Sequence, residues 1–283
     1  MRTRTSAAAL AAALLFSVAP PAGAWSESTR AELAERARRL APADLARLLS
    51  RHRDRLQAGA KDPRLQITPQ HLASEVDDAV RLVRSHRPFA ELAERLGRIS
   101  ALASELNDPL RASDADPLEP RYAPDFPRYV DSARGRFAPV FYGLDRDVER
   151  SGGVVRLGER ALGRGRPFYE ALGREYRRVG MRPGSEAFDD RSTAFAVSAI
   201  SFSRALSDAA QLFRLVWLTA GGGIARLAFP PLADRSCCSR LPPRGPDSAR
   251  RPRCPLSDAP CSPSTTRPAW SISPGAWPLG ESP

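Results

Sequence analysis

Histidine, the side chain most often used for metal binding and for proton transfer near neutral pH, is scarce in this sequence. The chain has three: His52, His71 and His86. A zinc ion takes about four donors from histidine nitrogen, carboxylate oxygen or cysteine sulfur, so a site with three zinc ions needs roughly nine protein groups. His52 stands in a helical pattern among arginines, as is typical of a surface or boundary residue. Histidine alone is therefore too scarce for a multi-zinc site.

The sequence offers no other familiar catalytic motif in place of histidines. It lacks G-x-S-x-G, H-E-x-x-H, a phosphate-binding loop and a glycine fingerprint after a strand. The stretch Ser151-Gly152-Gly153 is typical of an ordinary turn. The sequence therefore gives no support to the common classes of serine hydrolase, zinc protease or nucleotide-binding enzyme.

The first 24 residues predict export. Arg2 and Arg4 form a basic start, residues 7–18 form an apolar core, and Ala22-Gly23-Ala24 forms a small-residue cleavage site. The apolar core is well short of the roughly 20 residues that a membrane-spanning helix needs. We therefore expect a signal peptide over residues 1–24, a mature chain that begins at Trp25, and a secreted or periplasmic location.

Residues 96–131 keep a recognisable frame of apolar residues around Asn107 and Pro109, and the frame ends in Tyr129-Val130-Asp131. This frame resembles the zinc-dependent phospholipase C and single-strand-specific nuclease superfamily. In that family one buried helix carries H-x-x-x-D-x-x-x-P-[ML]-H, and a second carries H-x-x-x-E before an aromatic-Val-Asp. An N-terminal tryptophan and a last helix ending near Trp217 are also similar to the family.

The resemblance implies a phosphoester-hydrolysing site from which most zinc ligands have been lost. Three zinc ions in that family activate a water molecule and neutralise the phosphate. The positions of the family's ligands in these helices hold mainly residues that cannot bind a metal: Arg30, Ala101, Glu105, Arg111, Ala123 and Pro127. Of these, only Glu105 is a possible ligand, as a substitute for aspartate.

The residual metal ligands that the resemblance implies are Trp25, Asp62, His71 and Glu105. Together they could hold one zinc ion at most, and the arginines at positions 30 and 111 would repel it. We expect the guanidinium of Arg111 to stand where a cation stood in the family and to pair with Glu105 or Asp62. No cofactor is expected, apart from that single zinc ion if any.

These residues lead to three functional hypotheses. The first is an exported, monomeric phospholipase C-like or nuclease-like protein that is catalytically degenerate and keeps a binding or structural role. The alternative is an active zinc-dependent phosphoester hydrolase with a reduced metal site. The third is an envelope-associated protein whose arginines bind anionic lipid.

The elements that must position these residues are predicted to be helices throughout residues 25–223, because apolar residues recur at intervals of three and four. We expect one all-α domain, a multi-helix bundle of the phospholipase C type. The predicted helices cover about residues 26–40, 42–59, 71–85, 88–106, 126–137, 156–162, 167–179 and 191–220. The last is nearly apolar on most sides, which predicts burial in the bundle centre.

The C-terminal segment, residues 224–283, has a different composition. It is rich in proline and arginine, lacks a helical or strand period, and is predicted to be disordered. It contains every cysteine of the chain: Cys237, Cys238, Cys254 and Cys261. One or two disulfides are possible in an exported chain, whereas a zinc knot is disfavoured because C-x-x-C spacing is absent. A reading-frame artefact remains an alternative.

The net charge of +11 is compatible with an anionic partner, such as a phospholipid surface or another envelope component. The arginines are scattered over every predicted helix face, however, which favours a solvated surface and gives no sign of specific nucleic-acid recognition. The nearest approach to a basic cluster is formed by Arg84, Arg87, Arg95 and Arg98.

Overall fold

The computed structural model describes residues 25–221, and every regular element in that range is a helix. The predicted all-α class is therefore confirmed. The predicted signal peptide over residues 1–24 lies outside the described residues. So does the predicted tail over residues 224–283, with its cysteines.

Ten α-helices follow one another in the described range. They are α1 (Glu27–Leu40), α2 (Ala43–Arg51), α3 (Arg53–Ala60), α4 (Pro69–Arg84), α5 (Phe89–Leu106), α6 (Glu119–Tyr122), α7 (Phe126–Ala133), α8 (Gly153–Arg178), α9 (Gly184–Ala187) and α10 (Thr193–Thr219). Short 3₁₀ helices lie at Pro109–Arg111, Arg134–Arg136 and Arg146–Glu149.

Two helices with clear sequence signals begin at serine caps. Ser26 has extended backbone angles, and its hydroxyl accepts a hydrogen bond from the backbone N–H of Thr29, which satisfies one free donor of α1. Ser192 caps α10 in the same way through the N–H of Phe195. The predicted bounds of α1, α5 and α10 are confirmed to within two residues.

The prediction of a single helix over residues 42–59 is wrong, because the helix is interrupted at His52. The backbone of His52 (φ −119°, ψ 32°) is not helical, and it separates α2 from α3. Its ring packs against that of Phe89 at a centroid distance of 5.4 Å, and Phe89 packs in turn against Trp217. A ring contact at the junction thus accompanies the break.

Gly59, which we expected to end that helix, lies inside α3 at a close crossing with α5. A Cβ atom at Gly59 would lie 1.9 Å from the carbonyl oxygen of Glu94, and one at Gly97 would lie 2.1 Å from that of Leu56. We call the pair Gly59 and Gly97 the glycine crossing. Since each faces backbone and not a flexible side chain, the two helices can approach this closely only without side chains here.

The two helices predicted over residues 156–162 and 167–179 form one helix, α8, with Pro167 in its interior. Two glycines of α8 lie at close contacts with neighbouring segments. A Cβ at Gly158 would lie 2.9 Å from Pro69, and one at Gly165 would lie 2.8 Å from Ala112. An interior proline destabilises a helix by about 3 kcal/mol, so packing on both sides of Pro167 must offset that cost.

The centre of the bundle is formed by α5 and α10. All residues from 99 to 110 are buried, and α10 packs against α1, α4, α5 and α8. Predicted burial of the last helix is confirmed. Residues 108–124, which lie between α5 and α7, contain the first 3₁₀ helix and α6. No helix among residues 25–221 combines the length and apolar character needed to cross a lipid bilayer.

Candidate functional site

Glu105 is a charged residue at the end of α5, inside the fully buried run of the bundle centre, and its side chain is 1% exposed. Arg30 of α1 donates from an Nη to one carboxylate oxygen at 3.2 Å. Arg111 donates from Nε to the other oxygen at 2.7 Å. We call these three residues the Glu105 cluster. Each carboxylate oxygen is therefore occupied by a guanidinium group.

The turn that follows α5 brings Arg111 back onto Glu105. Asp108 begins this turn, and its carboxylate accepts a hydrogen bond from the N–H of Leu110 at 2.8 Å. Pro109 fixes the first position of the 3₁₀ helix, where its missing N–H would have no helical partner. The predicted pairing of Arg111 with Glu105 is therefore present in the structure. The contact of Arg30 was not predicted as a pairing.

The charges of the Glu105 cluster do not fit a zinc ion. Two guanidinium groups surround one carboxylate, and a buried carboxylate is tolerated only when it is paired and hydrogen-bonded. The Nε of Arg30 is buried with no hydrogen-bond partner, and Arg111 also lies 4.0 Å from the carboxylate of Asp108, so guanidinium groups already hold the acids that a metal ion would need. A cation here would have to displace both arginines. The donor set of this cluster is that of an ion pair and not that of a metal centre.

Asp62, another residual ligand, lies in a different ion-pair network. Arg64 donates from its backbone N–H and from Nε to one oxygen, and Arg98 lies 3.2 Å from the other. Burial acts to raise the pKa of the Asp62 carboxyl, but the hydrogen bonds from Arg64 and the charges of both arginines outweigh it and lower the pKa. Asp62 is thus held as an ionised partner for arginine.

His71 lies in the first turn of α4 and also has its own partners. Its backbone N–H donates to the hydroxyl of Thr68, the N-cap residue, at 3.0 Å. Its Nε2 lies 3.7 Å from a carboxylate oxygen of Glu75, and the other oxygen of Glu75 binds Arg95 at 2.7 Å. The imidazole therefore borders an acid–arginine pair.

Trp25 is 3% exposed, and its indole packs edge-on against Phe202 of α10 at a centroid distance of 6.1 Å. The four residual ligands Trp25, Asp62, His71 and Glu105 thus have separate sets of partners. Among residues 25–221, no group of three or more histidine, cysteine, aspartate or glutamate side chains is placed to hold a metal ion.

Asp131, the last residue of the frame, fastens the start of α1. One carboxylate oxygen accepts from the hydroxyls of Ser26 at 2.5 Å and Thr29 at 2.6 Å and from Arg134 at 2.7 Å. Burial acts to raise the pKa of Asp131, but these hydroxyls, that of Ser28 and the charge of Arg134 outweigh it and lower the pKa. This anchor holds the turn of α1 that carries Arg30.

Asn107, from the frame, and Asp208, from the last helix, meet in the interior. The amide of Asn107 donates to the Asp208 carboxylate at 2.9 Å, and Arg164 of α8 donates to the same oxygen at 2.7 Å. Burial raises the pKa of Asp208, although Arg164 and Asn107 act to lower it. Two segments that carry the family resemblance are therefore joined by a buried polar contact.

The basic cluster predicted at Arg84, Arg87, Arg95 and Arg98 is occupied by partners within the protein. Arg87 pairs with Glu91, and Arg84 donates to the carbonyl oxygen of Thr219. Arg95 and Arg98 bind the acids already described. A cleft of about 600 Å³ between α1 and α3 is the more open charged surface. It is lined in part by Arg36, Arg39, Arg53, Lys61, Glu32 and Glu35.

None of the four residual ligands lines this cleft. Its acids are closely paired: Glu35 accepts from Arg38, and that hydrogen bond, against a smaller effect of burial, lowers the pKa of Glu35. Arg36 also pairs with Glu32, and Arg39 and Arg53 lie 3.4 and 3.3 Å from Glu35. Four cations nevertheless line the cleft against two acids, a positive surplus that sequence reasoning missed, because α1 and α3 had to be packed together before it existed.

Comparisons with known proteins assign no function to these residues. No family model, curated protein or solved structure matches this chain.

Proposed function

We propose that this chain is an exported, catalytically degenerate protein with a phospholipase C-type bundle, and that it has a binding role without a bound zinc ion. The observation that carries the proposal is the Glu105 cluster. Arg30 and Arg111 stand at positions where the resemblance implies histidines, and each binds one oxygen of the remaining carboxylate. Arginine cannot ligate a metal, and two of them supply the positive charge that offsets a buried acid.

A binding role is supported by the α1–α3 cleft. Its lining offers exposed guanidinium and ammonium groups in excess of carboxylates, which is the arrangement that attracts phosphate or carboxylate groups. Asp62 and His71 support the loss of catalysis in a second way, since each is engaged by neighbours in a network of its own.

The decisive experiment is the zinc content of the purified protein after equilibration with excess zinc and removal of free metal. We expect well below one ion per chain by elemental analysis, and no hydrolysis of the chromogenic diester bis(4-nitrophenyl) phosphate. The double variant Arg30→His/Arg111→His places two imidazoles beside Glu105. We expect it to retain zinc where the parent does not, because it restores three donors of the types that zinc prefers.

Two outcomes would contradict the proposal. One tightly held ion that is lost in His71→Ala, but kept in the matched control His52→Ala, would support the alternative of an active hydrolase with a reduced metal site. Two or more ions per chain would show that the ligand shortage inferred from the sequence is wrong. Circular dichroism of each variant confirms that the helical fold is retained.

A further inference from the structure

An extended segment, residues 138–145, crosses the surface between the second and third 3₁₀ helices, and we call it the strap. Its apolar side chains point outward: Val140 is 53% exposed, Phe141 43%, Tyr142 43% and Leu144 49%. Among residues 25–221 only one other large apolar side chain is as exposed, Leu40 at 47%. Exposed apolar surface in the described part of the chain is therefore concentrated in the strap.

The strap is fastened along α10 by a row of polar side chains. The backbone N–H groups of residues 140, 142 and 145 donate to Ser203 at 3.2 Å, Ser207 at 3.0 Å and Gln211 at 3.2 Å. Four helical residues rise about 6 Å and two extended residues about 6.5 Å, so the first two bonds are in register. The backbone is held, and the apolar side chains remain on the outside.

Two arginines beside the strap, Arg146 and Arg204, form no salt bridge among the described residues, although the charge of Arg204 acts on Asp208. The guanidinium of Arg204 lies 3.7 Å from the centre of the Tyr142 ring. Arg146, at the end of the strap, is exposed and has no hydrogen bond or ion pair among the described residues. The acids nearby are already paired, Asp145 with Arg160 and Asp147 with Arg150.

We propose that the strap docks this protein onto an anionic lipid surface. Phe141 and Leu144 would enter the acyl region, while Arg146 and Arg204 would contact lipid phosphates. Tyr142 suits the interface between the lipid headgroups and the acyl chains, because its ring is apolar and its hydroxyl is polar. Three consecutive side chains, at 140, 141 and 142, are exposed at once, whereas an added protein strand would cover alternate ones. The net charge of +11 favours an anionic surface.

This inference goes beyond the proposed function and does not depend on the metal content of the Glu105 cluster. Its test is co-sedimentation of the purified protein with phosphatidylserine-containing vesicles. We expect the double variant Phe141→Ser/Leu144→Ser to lower the partition coefficient by at least about tenfold, because burying one such side chain changes an equilibrium by that factor or more. Leu40→Ser, equally exposed on α1, is the matched control and should bind like the parent.

The charge component is tested separately. Arg146→Gln should weaken binding by several fold, and added salt should reduce the difference from the parent. Arg47→Gln is its control, because Arg47 is also exposed and has no ion pair among the described residues. Soluble glycerophosphoserine should not compete with vesicles, since a headgroup without acyl chains cannot take up the apolar side chains.

Four results would overturn the proposal. They are equal binding by the strap double variant, equal binding to uncharged phosphatidylcholine vesicles, an equal loss in Leu40→Ser, and full competition by the soluble headgroup. Sedimentation velocity without lipid provides a further check. A parent dimer that the strap double variant converts to a monomer would identify the strap as an interface between copies of this chain instead.

Discussion

The middle and the C-terminal end of α5 are held in place by opposite means. Near its middle, Gly97 meets α3 at the glycine crossing, where backbone contacts backbone and no side chain intervenes. At its C-terminal end, Glu105 is held by the guanidinium groups of Arg30 and Arg111. The first contact depends on shape alone, while the second depends on charge. Within one helix, the glycine crossing thus tolerates no added atom, whereas the position of Glu105 requires opposite charges nearby.

The largest expected effect is at the glycine crossing. Gly97→Ala would place a Cβ 2.1 Å from the carbonyl oxygen of Leu56 and 2.8 Å from the N–H nitrogen of Ala60. Since neither atom can rotate away, we expect a loss of more than about 4 kcal/mol in the free energy of unfolding, measured by urea denaturation.

The matched control for that prediction is Gly163→Ala in α8. Gly163 is an exposed helical glycine, and a Cβ there would meet nothing within 4 Å. Alanine should stabilise the protein by roughly 0.5–1 kcal/mol, because it restricts the unfolded chain more than glycine does. Equal effects of the two substitutions would show that the glycine crossing is not a close contact.

A smaller effect is expected at the charge-dependent end. Glu105→Ala removes the nearest acid of Arg30 and Arg111 and leaves Arg111 only the more distant Asp108, at 4.0 Å, so we expect a loss of about 3 kcal/mol in unfolding free energy. Glu149→Ala removes the partner of Arg214 at the surface and should change stability by less than about 1 kcal/mol.

A double-mutant cycle sharpens this prediction. In the background of Arg111→Ala, the effect of Glu105→Ala should fall by 1 kcal/mol or more, because the two residues interact directly. If Glu105→Ala lowers the free energy of unfolding no more than Glu149→Ala does, the ion pairs of Glu105 do not hold this end of α5.

The smallest effect is expected at Asp131, which supports the charge-dependent end indirectly by fastening the start of α1. Because the pKa of Asp131 is lowered, its ionised carboxylate stabilises the fold at pH values above 3.8, the ordinary pKa of aspartate. This contribution is lost as the pH falls through the lowered pKa. Because the side chain is 34% exposed, we expect Asp131→Asn to cost at most about 1 kcal/mol at pH 7.

Thermal denaturation of Asp131→Asn across the acidic range measures this difference. The parent and the variant should converge in stability at low pH and separate as the pH rises. Asp190→Asn removes an exposed partner of Arg136 and should change the free energy of unfolding by only a few tenths of a kcal/mol at any pH. A constant difference for Asp131→Asn would show that its hydrogen bonds, and not its charge, fasten α1.

Helix identity could be predicted from the sequence where the apolar period was regular. The repeat of Leu92, Leu96, Ile99 and Leu106 predicted α5, and a long apolar run predicted α10. The prediction divided α8 in two before Pro167, and a sequence alone could not correct it, because glycines at close contacts look the same as glycines at a break. What distinguishes them is the neighbouring segment, which a single helix does not reveal.

The candidate site was predictable in part. The resemblance suggested that Arg111 would pair with Glu105 or Asp62, and the structure shows the pairing with Glu105, six residues away. Arg30 lies 75 residues away, and its contact follows from the packing of α1 on α5. The row on α10 could have been noticed, since Ser203, Ser207 and Gln211 recur every four residues along one line of the helix. The strap that this row holds has no period of its own and was therefore missed.

The central place of α10 has a consequence for biosynthesis. This helix is the last one of the described range, yet α1, α4, α5 and α8 all pack against it. Until the ribosome has passed residue 219, those four helices lack the apolar surface that completes their shared core. The bundle therefore cannot close progressively from its N-terminus, and its emerging helices expose apolar faces that chaperones recognise until the final helix arrives.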